Sequence, residues 1–107
     1  MTPDALAALH AACFPDAPWS AATFAQLLGK PTSRLFTRSD SFLLAQLIAP
    51  EAEILTLCVA PTARREGHAT HLITKLTSDI DRIFLEVASD NAPARALYIK
   101  AGFRQTG

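Results

Sequence analysis

Apolar residues recur along this chain with two different periods. Leu6, Leu9 and Cys13 are spaced for one face of a helix, with Thr2 as its cap, Pro3 at the first helical position and Asp4 in the first turn. Phe14 to Pro18 is a proline-punctuated break. Ser20 then caps a second expected helix, with Phe24, Leu27 and Leu28 facing inward and Gly29 as its C-cap. Ser33 to Thr37 reads as a short strand and Phe42 to Ile48 as a longer one, apolar on both faces. Ala49, Pro50, Glu51 and Ala52 make a turn of hairpin length, after which Ile54, Leu55, Thr56, Leu57, Cys58 and Val59 read as a buried strand. Ala60, Pro61, Thr62 and Ala63 turn the chain. From Gly67 to about Asp81 the period changes: Ala69, Leu72, Ile73, Leu76 and Ile80 follow i, i+3, i+4, i+7, i+11, which is helical. Ile83, Phe84, Leu85, Glu86 and Val87 are strand-like again. A last helix starts near Asn91, with Pro93 in its first turn and Gly102 as its stop, and Phe103 and Arg104 begin something further.

Strand, helix, strand at this spacing is a βαβ unit. The strands at Ile54 and Ile83 are therefore expected to be parallel and joined by a right-handed crossover. With 107 residues, half of them apolar, the chain suits one small domain with a core. Ten basic and ten acidic residues cancel, so no global field draws the chain to nucleic acid or to a membrane. No apolar run approaches a membrane span, and the N-terminus lacks the basic-then-apolar layout of a signal peptide. Cys13 and Cys58 both sit in apolar runs and make no disulfide framework, so a reducing cytosol is the simplest setting.

Four places carry candidate chemistry. The loop Arg64, Arg65, Glu66, Gly67, His68, Ala69 joins a strand to a helix N-terminus, where unpaired backbone N–H groups and the positive end of the macrodipole favour an anion. Gly67 permits a positive φ or the close approach of a ligand, and the arginines suit phosphate or carboxylate. The pattern alone equally fits an ordinary strand-to-helix turn with solvated arginines. It is neither the three-glycine dinucleotide fingerprint nor a P-loop. Glu86 interrupts an apolar strand, where a carboxylate must be paired, protonated or turned to a cavity or wet face. Tyr98 is the single tyrosine, and as a bare helix aromatic it would simply pack its ring. Asn91 before Pro93 suits an N-cap. His10, His68 and His71 show no metal-ligand spacing with carboxylates or cysteines, and no metal is expected.

Taken together, these residues resemble a known family. Val59, Ala60, Pro61, then Arg64, Arg65, Glu66, Gly67, His68, Ala69 is similar to the acetyl-CoA signature (Q/R)-x-x-G-x-(G/A) of the GNAT N-acetyltransferases. Leu85, Glu86, Val87, then Asn91, Ala94, Ala96, Leu97, Tyr98, Gly102 and Phe103 is similar to the second motif of that family. Within the family, Pro18, Trp19, Ser20, Thr23 and Phe24 add a similarity to the ribosomal-protein-alanine N-acetyltransferases.

The resemblance implies an α/β fold of the GNAT, or acyl-CoA N-acyltransferase, type: a central mixed sheet flanked by helices. It implies acetyl-CoA as cosubstrate, with backbone of Leu57, Cys58 and Val59 along the pantetheine arm. Arg64, Arg65, Glu66, Gly67, His68, Ala69 and Thr70 would lie around the pyrophosphate, and Asn91 against the arm. By the same resemblance, Glu86 is the expected general base and Tyr98 the general acid. The acceptor is an amine, with the N-terminal alanine amine of a ribosomal protein as the specific expectation and a small amine or another protein as the alternative. A non-catalytic CoA-binding or interaction module is the rival of a different class. A homodimer is compatible with either, and cytoplasmic location goes with both. Ala69 stands where glycine is frequent, and His68 is an unusual occupant of its position. Family members usually continue beyond Gly102-Phe103 with two more strands, absent from this sequence. A single domain over residues 1–107, cut at its C-terminus, completed by a partner or natively short, is the expectation.

Overall fold

The computed structural model describes residues 1–78, 80–87 and 91–105. Helix α1 (Pro3–Cys13) is capped by Thr2, whose Oγ1 accepts from the Ala5 amide at 3.1 Å. Helix α2 (Ala21–Leu28) is capped by Ser20, which accepts from the Thr23 amide at 3.1 Å. Strands β1 (Ser33–Thr37), β2 (Ser41–Ile48) and β3 (Glu51–Val59) form an antiparallel meander. Helix α3 (His68–Thr77) then crosses over to β4 (Arg82–Leu85), which pairs with β3 in parallel. Helix α4 (Ala92–Lys100) completes the order, and the sheet runs β1-β2-β3-β4. The mixed sheet, the flanking helices and the parallel pair all agree with the sequence reading.

Several boundaries differ from expectation. The hairpin turn is only Ala49 and Pro50, because β3 begins at Glu51, where pairing with Ile48 and Arg82 recruits polar residues that no hydrophobic pattern marks. Helix α3 ends at Thr77, short of Asp81; Ile80 follows it and still packs against the core. Asp79, within the expected helix, lies outside the described residues, as does Gly107. Strand β4 stops at Leu85, so Glu86 and Val87 stand beyond it.

The sheet buries both faces. Phe42 and Leu44 pack with Leu6, Phe24 and Cys58 beneath α1 and α2. Leu43 and Ala45 point the other way, onto Leu72, Ile73 and Leu76 of α3. Such two-sided burial explains why β2 reads as continuously apolar instead of alternating. In β3 the pattern is subtler: Ala52 and Ile54 face α3, yet Cys58 faces α1 and α2. An even spacing should keep all three on one face. The phase is reset by a β-bulge, because Leu44 pairs with Thr56 while its neighbour Ala45 pairs with Ile54. Leu55 is the extra residue.

The parallel pairing of β3 with β4 runs from Glu51 opposite Arg82 to Ile54 opposite Leu85. There it ends. Strand β3 continues to Val59 along β2 alone, so the sheet opens on its β4 side just where the bulge lies.

Leu72 has no exposed surface, whereas Ile99 is 61% exposed. Leu72→Ala is expected to cost about 2–5 kcal/mol in urea unfolding, and Ile99→Ala to stay within about 0.5 kcal/mol. Equal effects of the two would contradict the placement of α3 as the core helix.

Candidate active site

The opening between β3 and β4 is a cleft of about 490 Å³. Its floor is the bulged segment Ile54 to Leu57. One wall carries Leu85, Glu86 and Val87 from the end of β4, with Asn91, Ala94 and Tyr98 from α4. The facing wall is His10 and Cys13 of α1 and the connection from Phe14 to Trp19. Four of the residues assigned roles from the sequence therefore meet in one place: Leu57, Glu86, Asn91 and Tyr98.

Glu86 is exposed, one position past the last paired residue of β4. Of the alternatives open to it, the wet-face reading is the one realised, and the wet face is the cleft itself. Tyr98 is half-buried, its ring set edge-on to Phe103 at 5.5 Å. Burial, and then the neighbouring Cys58, push its phenol up to about 12. The hydroxyl is thus a proton-loaded donor throughout the neutral range. Asn91 caps α4, its Oδ1 accepting from the Ala94 amide at 3.3 Å. Its amide nitrogen makes no bond to the protein among the described residues and is free for a ligand.

Of the strand residues assigned to the cofactor arm, Leu57 lines the cleft. The Cys58 side chain turns away into the core, where burial foremost raises its thiol to about 12. The carbonyl of Val59 is already engaged by the Cys13 thiol and by Arg64 Nε, both at 3.4 Å. Leu55 and Thr56, which the sequence did not single out, line the floor instead, because the bulge changes which way β3 faces.

Beyond Val59, a short 3-10 turn at Pro61–Ala63 leads into the loop before α3. Arg65 takes φ 67° and Gly67 φ 78° there, and Gly67 is the N-cap of α3 without a side chain to cap it. The first internal bond of the helix is His71 N–H to the Gly67 carbonyl at 3.0 Å. The amides of His68, Ala69 and Thr70 therefore begin the helix as unspent donors at its positive end, the arrangement that accepts a phosphate. A β-carbon built on Gly67 would meet nothing within 4 Å, so its glycine is required by backbone conformation and not by space.

His68 does not project into this cradle. It is buried, with Nδ1 accepting from Arg38 Nε at 3.1 Å and Nε2 lying 3.7 Å from the Glu66 carboxylate. Arg38, from the turn between β1 and β2, brings a further guanidinium to the N-terminus of α3. Thirty positions separate it from His68, and no local pattern in the sequence announces it. Among the described residues, no group of three or more His, Cys, Asp or Glu is placed to hold a metal.

Two outcomes follow from these environments. Gly67→Ala is expected to cost about 1–2 kcal/mol in urea unfolding and Gly67→Asn distinctly less, because asparagine tolerates the left-handed region. Cys58 and Tyr98 both hold their protons more tightly folded than unfolded, so the native state binds more protons between about pH 9 and pH 12. Stability must then fall as pH rises through that window. Urea midpoints should decline from pH 9 upward, and Cys58→Ala should make the decline shallower.

Comparison with known proteins completes the picture. The family described as Acetyltransferase (GNAT) family matches residues 4–103. The [Ribosomal protein bS18]-alanine N-acetyltransferase of Haemophilus ducreyi is 32% identical over 82% of this chain and 67% of that protein. The chain thus spans about two-thirds of the length of such curated relatives. The crystal structure of the ribosomal-protein-S18-alanine N-acetyltransferase from Escherichia coli superposes with a TM-score of 0.80 at 27% identity, covering 100% of this chain and 76% of that one. The structure of AAC(6')-Iy in complex with the bisubstrate analogue CoA-S-monomethyl-acetylneamine shares the fold at a TM-score of 0.74 and 17% identity, over 98% of this chain and 86% of that one. The split sheet, the glycine-turned helix N-terminus and a match along nearly the whole sequence agree: this chain belongs to the GNAT acetyltransferase family.

Proposed function

We propose that this protein transfers acetyl from acetyl-CoA to an amine, and that the amine is the N-terminal alanine of a ribosomal protein, in the cytoplasm. The observation that carries it is the continuity of two features. The cleft between β3 and β4 holds Glu86 and Tyr98, and the phosphate cradle of α3 lies at the end of the same strand. The similarity to ribosomal-protein-alanine enzymes supports the choice of acceptor.

The residues present suit acetyl-CoA. The amides from Arg65 to Thr70 would hold its pyrophosphate, with Arg64, Arg65 and Arg38 supplying positive charge. The backbone of β3 past Ile54, free of β4, would align the pantetheine arm as an added strand. Of Leu57, Cys58 and Val59, strand alternation lets only every second residue turn its backbone groups to the open edge, and the Val59 carbonyl is already occupied, which leaves the Val59 amide for the ligand. The Val59 amide can also polarise the thioester carbonyl. The asparagine at position 91 would bond the arm through its free amide nitrogen.

Acetyl-CoA brings an activated thioester; the protein must manage two protons. An α-amino group has a pKa of about 7.7–8.0 and must lose a proton to become a nucleophile. Glu86, exposed to the cleft, takes it directly or through water. The departing thiolate, an alkyl thiolate like that of cysteine (pKa about 8.5), is basic enough at neutral pH to need a hydrogen-bond donor. Tyr98 is always loaded for that role. Since its phenol lies above the thiol, it stabilises the sulfur by donating a hydrogen bond before any complete transfer. No covalent intermediate on the protein is required, which fits a Cys58 that is buried and protonated.

With a peptide bearing an N-terminal alanine, release of CoA thiol should be observed. Tyr98→Phe and Glu86→Gln should each lower kcat by ~10²–10⁴-fold, with acetyl-CoA affinity by calorimetry kept in Tyr98→Phe. Turnover that is indifferent to Tyr98→Phe would refute its role. Absence of thiol release over a range of N-terminal peptides would refute the acceptor.

A further inference from the structure

The wall of the cleft opposite Glu86 and Tyr98 contains a group that the chemistry above leaves unused. His10 is 3% exposed, near the end of α1. Its ring lies stacked on Trp19 at 4.9 Å, tilted against Phe14 at 4.7 Å and edge-on to Phe24 at 5.7 Å. The backbone N–H of Trp19 donates to His10 Nδ1 at 3.0 Å. A ring nitrogen that accepts carries no proton, so in the neutral imidazole the proton sits on Nε2. Burial lowers the pKa of His10 and so keeps the neutral form.

Nε2–H has no protein partner among the described residues. Yet no side-chain nitrogen or oxygen among them is both buried and unpaired. Nε2 therefore keeps contact with solvent, and the solvent-filled space that His10 lines is the cleft. Three aromatic rings hold the His10 ring, and with it one N–H donor, at the edge of the cleft. If an occupant covered that donor without accepting from it, the uncompensated desolvation of the N–H would weaken binding. An amine proton-donating to Glu86 cannot satisfy it. A peptide N-terminus can, because it carries a carbonyl oxygen one carbon beyond the carbon that bears the amine.

We propose that His10 is a specificity-determining donor, its Nε2–H binding the first peptide carbonyl of the acceptor, so that the site selects an amine belonging to a peptide over an amine alone. This inference rests on the acetyl-transfer reading for its substrate. A neutral ring suits the task better than lysine or arginine, whose charge would also attract free carboxylates and repel the acceptor's ammonium.

Two substitutions separate the roles of the ring nitrogens. His10→Asn puts an amide oxygen where Nδ1 was, preserving the acceptor for Trp19, but offers no donor at the Nε2 position. His10→Gln places an amide NH2 near the Nε2 position. An alanine peptide and isopropylamine serve as acceptors, and the ratio of their kcat/KM values is compared between proteins, so that the differing basicity of the amines cancels. His10→Asn should shrink the preference for the peptide about tenfold through KM, and His10→Gln should restore most of it. Equal losses on both acceptors, or an unchanged ratio in His10→Asn, would overturn the proposal in favour of a packing role.

Binding without turnover gives a second readout. Trp19, the single tryptophan of the chain, lies on the His10 ring. Its fluorescence should change saturably as alanine peptide is added to the protein holding CoA, with affinity weakened about tenfold in His10→Asn and recovered in His10→Gln. A protein that acetylates no amine but keeps this pattern would refute the acetyl-transfer reading and sustain the His10 contact. No saturable change, or the same affinity in all three proteins, would overturn the contact.

Discussion

One irregularity in hydrogen bonding governs this molecule: β3 cannot keep both of its neighbours along its full length. With β2 it pairs from Glu51 to Val59, at the expense of one unpaired residue, Leu55; with β4 it pairs only as far as Ile54. A continuous parallel ladder would satisfy more backbone groups but leave no cleft. The bulge increases local twist and turns the strand away from β4. The strand edge thereby released stands open past Ile54, and the gap is the cleft. Glu86 gains access to that space because β4 has already ended, and Tyr98 because α4 closes the far side.

The phosphate cradle follows from the same strand. Val59 ends β3, a single 3-10 turn redirects the chain, and Gly67 at φ 78° starts α3 with its first amides unspent. Packing holds the helix in place. Leu72, Ile73 and Leu76 are buried against the face of the sheet formed by Leu43, Ala45, Ala52 and Ile54. The amide donors at its tip are thus positioned by the hydrophobic core, and the Arg38–His68 bond pins the turn between β1 and β2 beside them. A buried histidine that accepts from an arginine explains an unusual residue in the loop: its side chain serves the scaffold, while its backbone amide stays among the unspent donors of the helix tip.

How much of this was legible depended on the range of the signal. The caps Thr2, Ser20 and Asn91 act over three residues, and each was visible in the sequence. The heptad-like spacing of α3 and the two-sided apolar run of β2 likewise reflect contacts that every turn or strand repeats. The ends of elements were less legible. Whether Glu51 or Ile54 begins β3, and whether β4 includes Glu86, is decided by which partner strand lies alongside. His10 was legible only as a residue without metal-ligand spacing, since its meaning comes from Trp19, Phe14 and Phe24 gathered around it.

The sequence by itself determined the order of helices and strands, the parallel crossover and the two motifs that mark the family, because these depend on local periodicity, capping and residue identity at fixed spacing. Only the tertiary structure decided that Leu55 is bulged, that Cys58 belongs to the core while Leu57 lines the cleft, that Arg38 reaches the helix tip, and that His10 lines the same cleft as Glu86 and Tyr98. Each of these is a long-range choice between competing pairings. A one-residue shift in strand phase exchanges the two faces of a sheet without altering its composition, so no reading of the residues in order could have settled it.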